Sequence, residues 1–151
     1  LIWKKQTLPI SWAHYHRNYE PCLFGEKEST VGSGKKSRWY GLNNETAVWE
    51  INADFNGDYV HPTQKPVALS ERAILNSSTS GEIVLDLFGG SGSTLIGCEK
   101  TKRTCRMMEK SAHYCQVIIE RFCQYNGIDE IKINNKAVKW NKYKKTAKKA
   151  A

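Results

Sequence analysis

Apolar and polar positions along the chain sort into a series of short elements. Glu82–Phe88 (EIVLDLF) is an apolar run carrying one acid, Asp86, near its end, the pattern of a buried strand. It breaks at Gly89, Gly90 and Gly92, and Ser93–Lys100 resumes with helical character. Thr104–Glu109 reads as the next strand and completes a βαβ unit. Ser111 stands in a capping position before the strongest helical segment. There Tyr114, Val117, Ile118, Phe122 and Tyr125 form one apolar stripe, and Asn126-Gly127 stops it. Upstream, Pro66 suits a first helical position and predicts a helix over Val67–Asn76, ended by Ser77–Gly81. Leu1–Lys5, Tyr19–Glu26 and Ala47–Ile51 are shorter candidate strands. Pro9–Asn18 has the aromatic, His-rich character of a site wall, and Glu26–Lys36 reads as a charged loop.

A length of 151 residues fits one domain, and the chain's start at Leu1 rather than Met suits a piece of something longer. No signal-like run and no bilayer-length apolar stretch occurs, which points to a cytoplasmic protein. The five cysteines include no CxxC pair, so reduced thiols are expected rather than a disulfide frame or zinc site. Cys98, Cys105, Cys115 and Cys123 are expected to pack as small hydrophobes. The charge is unevenly placed. From Ile131 onward there are eight lysines and no acid; the rest of the chain balances 15 Lys plus Arg against 15 Asp plus Glu. The tail therefore holds the whole +8 excess. Its main character is read as solvated and partly disordered, with phosphate neutralisation and base stacking by Trp140 and Tyr143 as the functional alternative.

The βαβ unit points to a nucleoside cofactor. Helical N–H groups at Ser93 and Thr94 would face the crevice above the glycine turn. Glu109, twenty residues beyond Gly89, is placed to accept both hydroxyl protons of a ribose. That arrangement serves NAD or S-adenosylmethionine equally, although Leu95 stands where the dinucleotide fingerprint wants a third glycine. A Walker-type phosphate loop at Gly32–Ser37 fails, because Lys36 follows Gly34-Lys35 where Ser or Thr is required.

DLFGGSGST with an acid-ended second strand, preceded by HPTQKP (His61–Pro66), resembles the beta group of N6-adenine and N4-cytosine DNA methyltransferases. Lys102–Phe122 matches in style, with Ser111-Ala112 where that family usually has Asp-Pro. The segments HYHRNYEPCLFGEK and RWYGLNNETAVWEI look like the prophage-associated members, many of which modify adenine. The resemblance covers roughly residues 1–125 and implies an α/β fold: a partial Rossmann-like methyltransferase sheet, mixed but mostly parallel, with flanking helices. It divides the chain into the end of the catalytic subregion (1–25), a candidate target-recognition region (26–60), the S-adenosylmethionine-binding subregion (61–127) and the basic tail (128–151). Carried over, Asp86 would position the cofactor's amino group, with Phe88, Gly89, Gly90, Ser91, Gly92 and Thr94 forming the turn beneath it and Glu109 binding the ribose. Thr63, Gln64 and Lys65 would lie near the methionine carboxylate, with His61 anchoring their loop. His14, His16, Lys35, Lys36 and Arg38 are candidate DNA contacts.

One part of the family pattern is missing. These enzymes carry an Asp/Asn/Ser-Pro-Pro-Tyr/Phe loop that holds the flipped base, and here Pro9, Pro21, Pro62 and Pro66 are all isolated. In the family that loop follows a strand lying between the cofactor strand and the one at Leu1–Lys5, and both neighbours would be left with unpaired edges. The expectation is the C-terminal part of a site-specific DNA methyltransferase acting on double-stranded DNA. It would be inactive alone and would partner either a missing N-terminal part or another copy of itself. The alternative is a non-catalytic prophage remnant or DNA-binding partner that keeps the cofactor fold.

Overall fold

The computed structural model describes residues 1–6, 12, 14–26, 38–52 and 64–144. Strand β1 (Ile2–Lys4) takes β2 (Tyr19–Pro21) antiparallel on one side and β3 (Val48–Glu50) parallel on the other. The buried faces of this small sheet are Trp3 and Trp49, paired in register. Helix α1 (Val67–Ser77) starts after the buried Pro66, whose ring presets the helical entry. It is tied to the sheet region by Arg72, which reaches Glu45 at 2.6 Å and stands 4.8 Å from the Trp49 ring. Tyr40 N–H also donates to the Asn76 carbonyl at 2.8 Å.

The predicted βαβ unit is present as β4 (Ile83–Asp86), α2 (Ser93–Thr101) and β5 (Thr104–Met107), with β4 and β5 parallel. α2 lies close on α1 because Gly97 has no side chain: a Cβ there would stand 3.3 Å from Ile74 Cδ1 and 3.4 Å from the Glu71 backbone nitrogen. Lys102 in a left-handed conformation ends α2. α3 (Ala112–Asn126) is capped by Ser111, whose side chain accepts from Tyr114 N–H, and stops at Gly127 with φ +65°. Of the predicted stripe, Val117 and Ile118 are buried and Tyr114 and Phe122 half-buried, but Tyr125 is exposed and Cys123 is buried in its place. Burial pushes the Cys98 thiol up to about 12, so this residue is a neutral packing group, as expected; Cys105 and Cys115 are only half-buried.

Two expectations are corrected here. Leu1–Lys5 does not present an open edge, since β1 is paired on both sides. Of the two strands named, β4 alone keeps one, pairing only with β5 among the described residues. The tail is not solvated throughout. β6 (Glu130–Ile133) and β7 (Lys136–Lys139) form an antiparallel hairpin around Asn134 and Asn135, both with positive φ. Trp140 packs instead of offering its face to a base: it is 7% exposed and stacks on Tyr143 at 6.0 Å. Residues 145–151 lie outside the described residues. Trp140→Ala is expected to destabilise the protein by about 3 kcal/mol, the usual cost of emptying a buried Trp site. Urea unfolding followed by circular dichroism measures this, and an unchanged midpoint would restore the solvated tail. Among the described residues, no helix is long and apolar enough to cross a membrane.

Candidate functional site

The glycine turn is held open by hydrogen bonds from both of its flanks. Asp86 Oδ1 accepts Phe88 N–H at 2.9 Å and turns the chain out of β4. Gly89 N–H then donates to the Met108 carbonyl, and Gly92 N–H to the Gly89 carbonyl, both at 2.8 Å. Gly92 caps α2 with φ +82°, and a Cβ there would come within 3.2 Å of Ile118. Left-handed geometry and close packing both call for glycine at this position.

Glu109 closes the turn. Its Oε2 accepts Gly90 N–H at 2.7 Å and its Oε1 accepts Ser111 N–H at 2.8 Å. One carboxylate thus joins the turn to the start of α3. On the other side, Ser93 Oγ donates to the Lys65 carbonyl at 2.6 Å, which ties the HPTQKP segment to the first residue of α2. Lys65 Nζ pairs with Glu20 and lies 5.3 Å from the Trp3 ring; Glu20 also receives Lys5 at 2.5 Å. Burial opposes charge on Glu20, but the hydrogen bonds from Lys5 and Lys65 outweigh it and hold the carboxyl below the usual range.

These groups wall a crevice of about 360 Å³ whose lining includes Lys65, Asp86, Phe88, Gly89, Gly90, Ser91, Thr94 and Glu109. Eight of the residues singled out from the sequence therefore meet in one place. Gly92 acts from beneath, against Ile118. Gln64 does not line the crevice; it is half-buried, with Oε1 unpartnered among the described residues. Thr63, His61, Lys35 and Lys36 lie outside the described residues. His14 and His16 are exposed, and Arg38 is paired with Glu82.

The sequence reading missed Ser70 and Arg121, and named Ser93 only for its backbone N–H. Ser70 and Ser93 line the crevice, and Arg121 donates to the Ser91 carbonyl at 2.5 Å from α3. Arg121 lies one helical turn beyond Val117 and Ile118, but only the packing of α3 against the turn brings it to Ser91. A second, largely apolar cavity of about 520 Å³, walled by Leu1, Phe24, Trp39, Leu42, Trp49 and Leu69, meets the crevice at Lys65 and Ser70.

Comparison with known proteins agrees with this geometry. Type II methyltransferase M.HpaI from Haemophilus parainfluenzae is 44% identical over 92 residues, covering 58% of this chain and 29% of that protein. Type II methyltransferase M2.DpnII from Streptococcus pneumoniae is 32% identical over 124 residues, covering 76% of this chain and 41% of its own length. The chain thus spans less than half the length of these curated relatives. Among solved structures, the M1.HpyAVI–SAM complex superposes with a TM-score of 0.65 at 28% identity, over 80% of this chain and 59% of that one. TTHA0409 from Thermus thermophilus, a putative DNA modification methylase solved with S-adenosyl-L-methionine, shares the fold at a TM-score of 0.50 and 24% identity, over 82% of this chain and 51% of that one. The partial Rossmann-like α/β methyltransferase fold expected from the sequence is therefore the observed one. A family model described as DNA methylase (N6_N4_Mtase) matches residues 1–120, the stretch that builds the crevice and its walls, and the chain belongs to that family.

Proposed function

We propose that the chain is the cofactor-binding part of an S-adenosylmethionine-dependent DNA amino-methyltransferase that acts on cytoplasmic duplex DNA. The observation that carries this reading is the crevice closed by Glu109 and Lys65 over the glycine turn. A carboxylate offers about four acceptor positions, and the two backbone N–H groups occupy one on each oxygen of Glu109. A carboxylate at the end of the second strand of a βαβ unit suits the two hydroxyls of a ribose. Lys65 supplies the counter-charge for a terminal carboxylate, in exchange for part of its contact with Glu20. Phe88 is 88% exposed beside the turn and offers an aromatic surface to a purine. The residues present therefore fit S-adenosylmethionine.

When bound, that cofactor supplies a methyl group activated on a sulfonium. The chain's own residues bind and orient it: Glu109 fixes the ribose end, Lys65 the carboxylate end, and Asp86 the amino group between them. In-line approach of an exocyclic amine to the methyl is the main source of acceleration in such a transfer. The residues that would present the amine belong to a Pro-Pro-Tyr/Phe loop, and this sequence contains no Pro-Pro pair. For an active enzyme the loop would come from a segment N-terminal to this one or from another chain; where it has been lost, the chain is a non-catalytic remnant. Adenine N6 is favoured over cytosine N4, on the likeness of HYHRNYEPCLFGEK and RWYGLNNETAVWEI to adenine-modifying members.

Calorimetric titration with S-adenosylhomocysteine and, separately, NADH tests the cofactor assignment. Saturable binding of the first and none of the second is expected. Tight binding of NADH alone would overturn the proposal in favour of a dinucleotide enzyme.

A further inference from the structure

The C-terminal hairpin carries charge that the cofactor crevice does not use. In the register Glu130–Lys139, Ile131–Val138, Lys132–Ala137 and Ile133–Lys136, alternate side chains leave opposite faces. Lys132 and Lys139 share one face, while Lys136 leaves the other face at the turn. All three lysines are exposed, and none joins a salt bridge among the described residues. The nearby acids are engaged elsewhere or, like Glu130 opposite Lys139, form no ion pair among the described residues. Glu120 takes Lys144 at 2.8 Å, Asp129 Oδ1 accepts Asn141 N–H at 2.9 Å, and Glu130 makes no ion pair with Lys139 across the ladder.

The ribbon is fixed in place, unlike a free tail. Trp140 N–H donates to the Asp129 carbonyl at 2.7 Å, and Trp140 is buried against Tyr143. Ile131, Ile133 and Val138 are half-buried on the face away from Lys132 and Lys139. Three unneutralised ammonium groups on an anchored two-stranded ribbon are a polyanion-facing surface, and from Ile131 to the end of the chain no acid offsets them.

We propose that the β6–β7 ribbon is a phosphate anchor for duplex DNA, distinct from the cofactor crevice. The choice of DNA rests on the methyltransferase reading above. α3 begins beside Glu109 and, with 15 residues, runs about 22 Å before the hairpin leaves its far end. Set apart from the crevice by the length of α3, the ribbon is placed to grip backbone flanking the target base and to add affinity without base choice. Its outward small residue, Ala137, carries no group able to read a base edge by hydrogen bonding.

The test uses fluorescence anisotropy of the chain with a labelled duplex of about 24 base pairs, between about 50 and 200 mM NaCl. The triple variant Lys132→Gln/Lys136→Gln/Lys139→Gln is compared with the parent. Each lost phosphate contact lowers the log–log salt slope by about 0.9, so the two lysines of the shared face give an expected fall of about 1.8, rising to about 2.7 where Lys136 reaches round the turn, with affinity at low salt reduced at least about tenfold. An unchanged slope and affinity would overturn the proposal. So would binding of duplex RNA that is tighter than that of DNA and equally sensitive to the triple change. Titration with S-adenosylhomocysteine separates the two readings. Equal affinity in parent and variant shows an intact crevice, whereas no binding in the parent sinks the cofactor assignment and leaves the salt slope readable.

Discussion

Replacing Glu109 by alanine is expected to weaken S-adenosylhomocysteine binding at least a hundredfold, or about 3 kcal/mol. The residue acts twice. It holds the turn through Gly90 N–H and the start of α3 through Ser111 N–H, and it is the proposed acceptor of the ribose hydroxyls. Charge-assisted hydrogen bonds are worth roughly 1.5–3 kcal/mol each, so losing two to the ligand already accounts for the fall. The loosened turn adds to it. Glu109→Gln retains a single acceptor oxygen and should lose about tenfold, since its amide nitrogen cannot accept an N–H. Glu109→Asp falls between these and alanine, because the shorter side chain cannot span both backbone donors. Calorimetry gives the affinities, and far-ultraviolet dichroism confirms that each variant is folded. Alanine binding within threefold of the parent would remove Glu109 from the site.

Glu109 also shows why half of this site was legible in the sequence. A strand that ends in glycines and a second strand that ends in an acid are local patterns, and their spacing alone puts them at the same end of a parallel pair. Asp86, Phe88, Gly89, Gly90 and Glu109 all follow from it. Arg121 and Ser70 do not, because each reaches the crevice through a helix packed from elsewhere, and packing has no short-range signature. The hairpin was legible but was overridden by composition. EIKI-NN-KAVK alternates with period two around a turn-forming pair, yet its dense lysines are equally the mark of a solvated tail. The open edge was placed half correctly. Family order names two strands as neighbours of the missing one, but β1 satisfies its ladder locally through β2 and β3, and of the two only β4 keeps an open edge among the described residues.

That edge leads to the largest expected effect. The chain alone, given S-adenosylmethionine and duplex DNA, is expected to transfer no methyl group, whatever its affinity for the cofactor. Along β4 and just beyond it, Ile83, Leu85 and Leu87 are 66%, 65% and 51% exposed, a run of apolar residues beside an edge that is unpaired among the described residues. This surface is what a parallel strand and its covering layer would bury, and the loop after such a strand would emerge at the end where Phe88 and the crevice lie. Without it the amine is not held in line with the methyl. Positioning of this kind is worth about 7–11 kcal/mol, which puts the residual rate roughly 10⁵-fold or more below that of a complete enzyme. A tritiated-methyl filter assay measures the rate, with Glu109→Ala as the control for contaminating host methylases. Turnover that is present in the parent chain and lost in this variant would show that the crevice works without an added Pro-Pro-Tyr/Phe loop, and the partner would then be unnecessary. No turnover, followed by recovery when the chain is extended upstream with a segment that carries this loop, makes the exposed face of β4 the seam at which the two halves of one active site join. No recovery with such a segment, while S-adenosylhomocysteine still binds, favours the non-catalytic module, because an intact cofactor seat would then serve a chain that no longer receives a base.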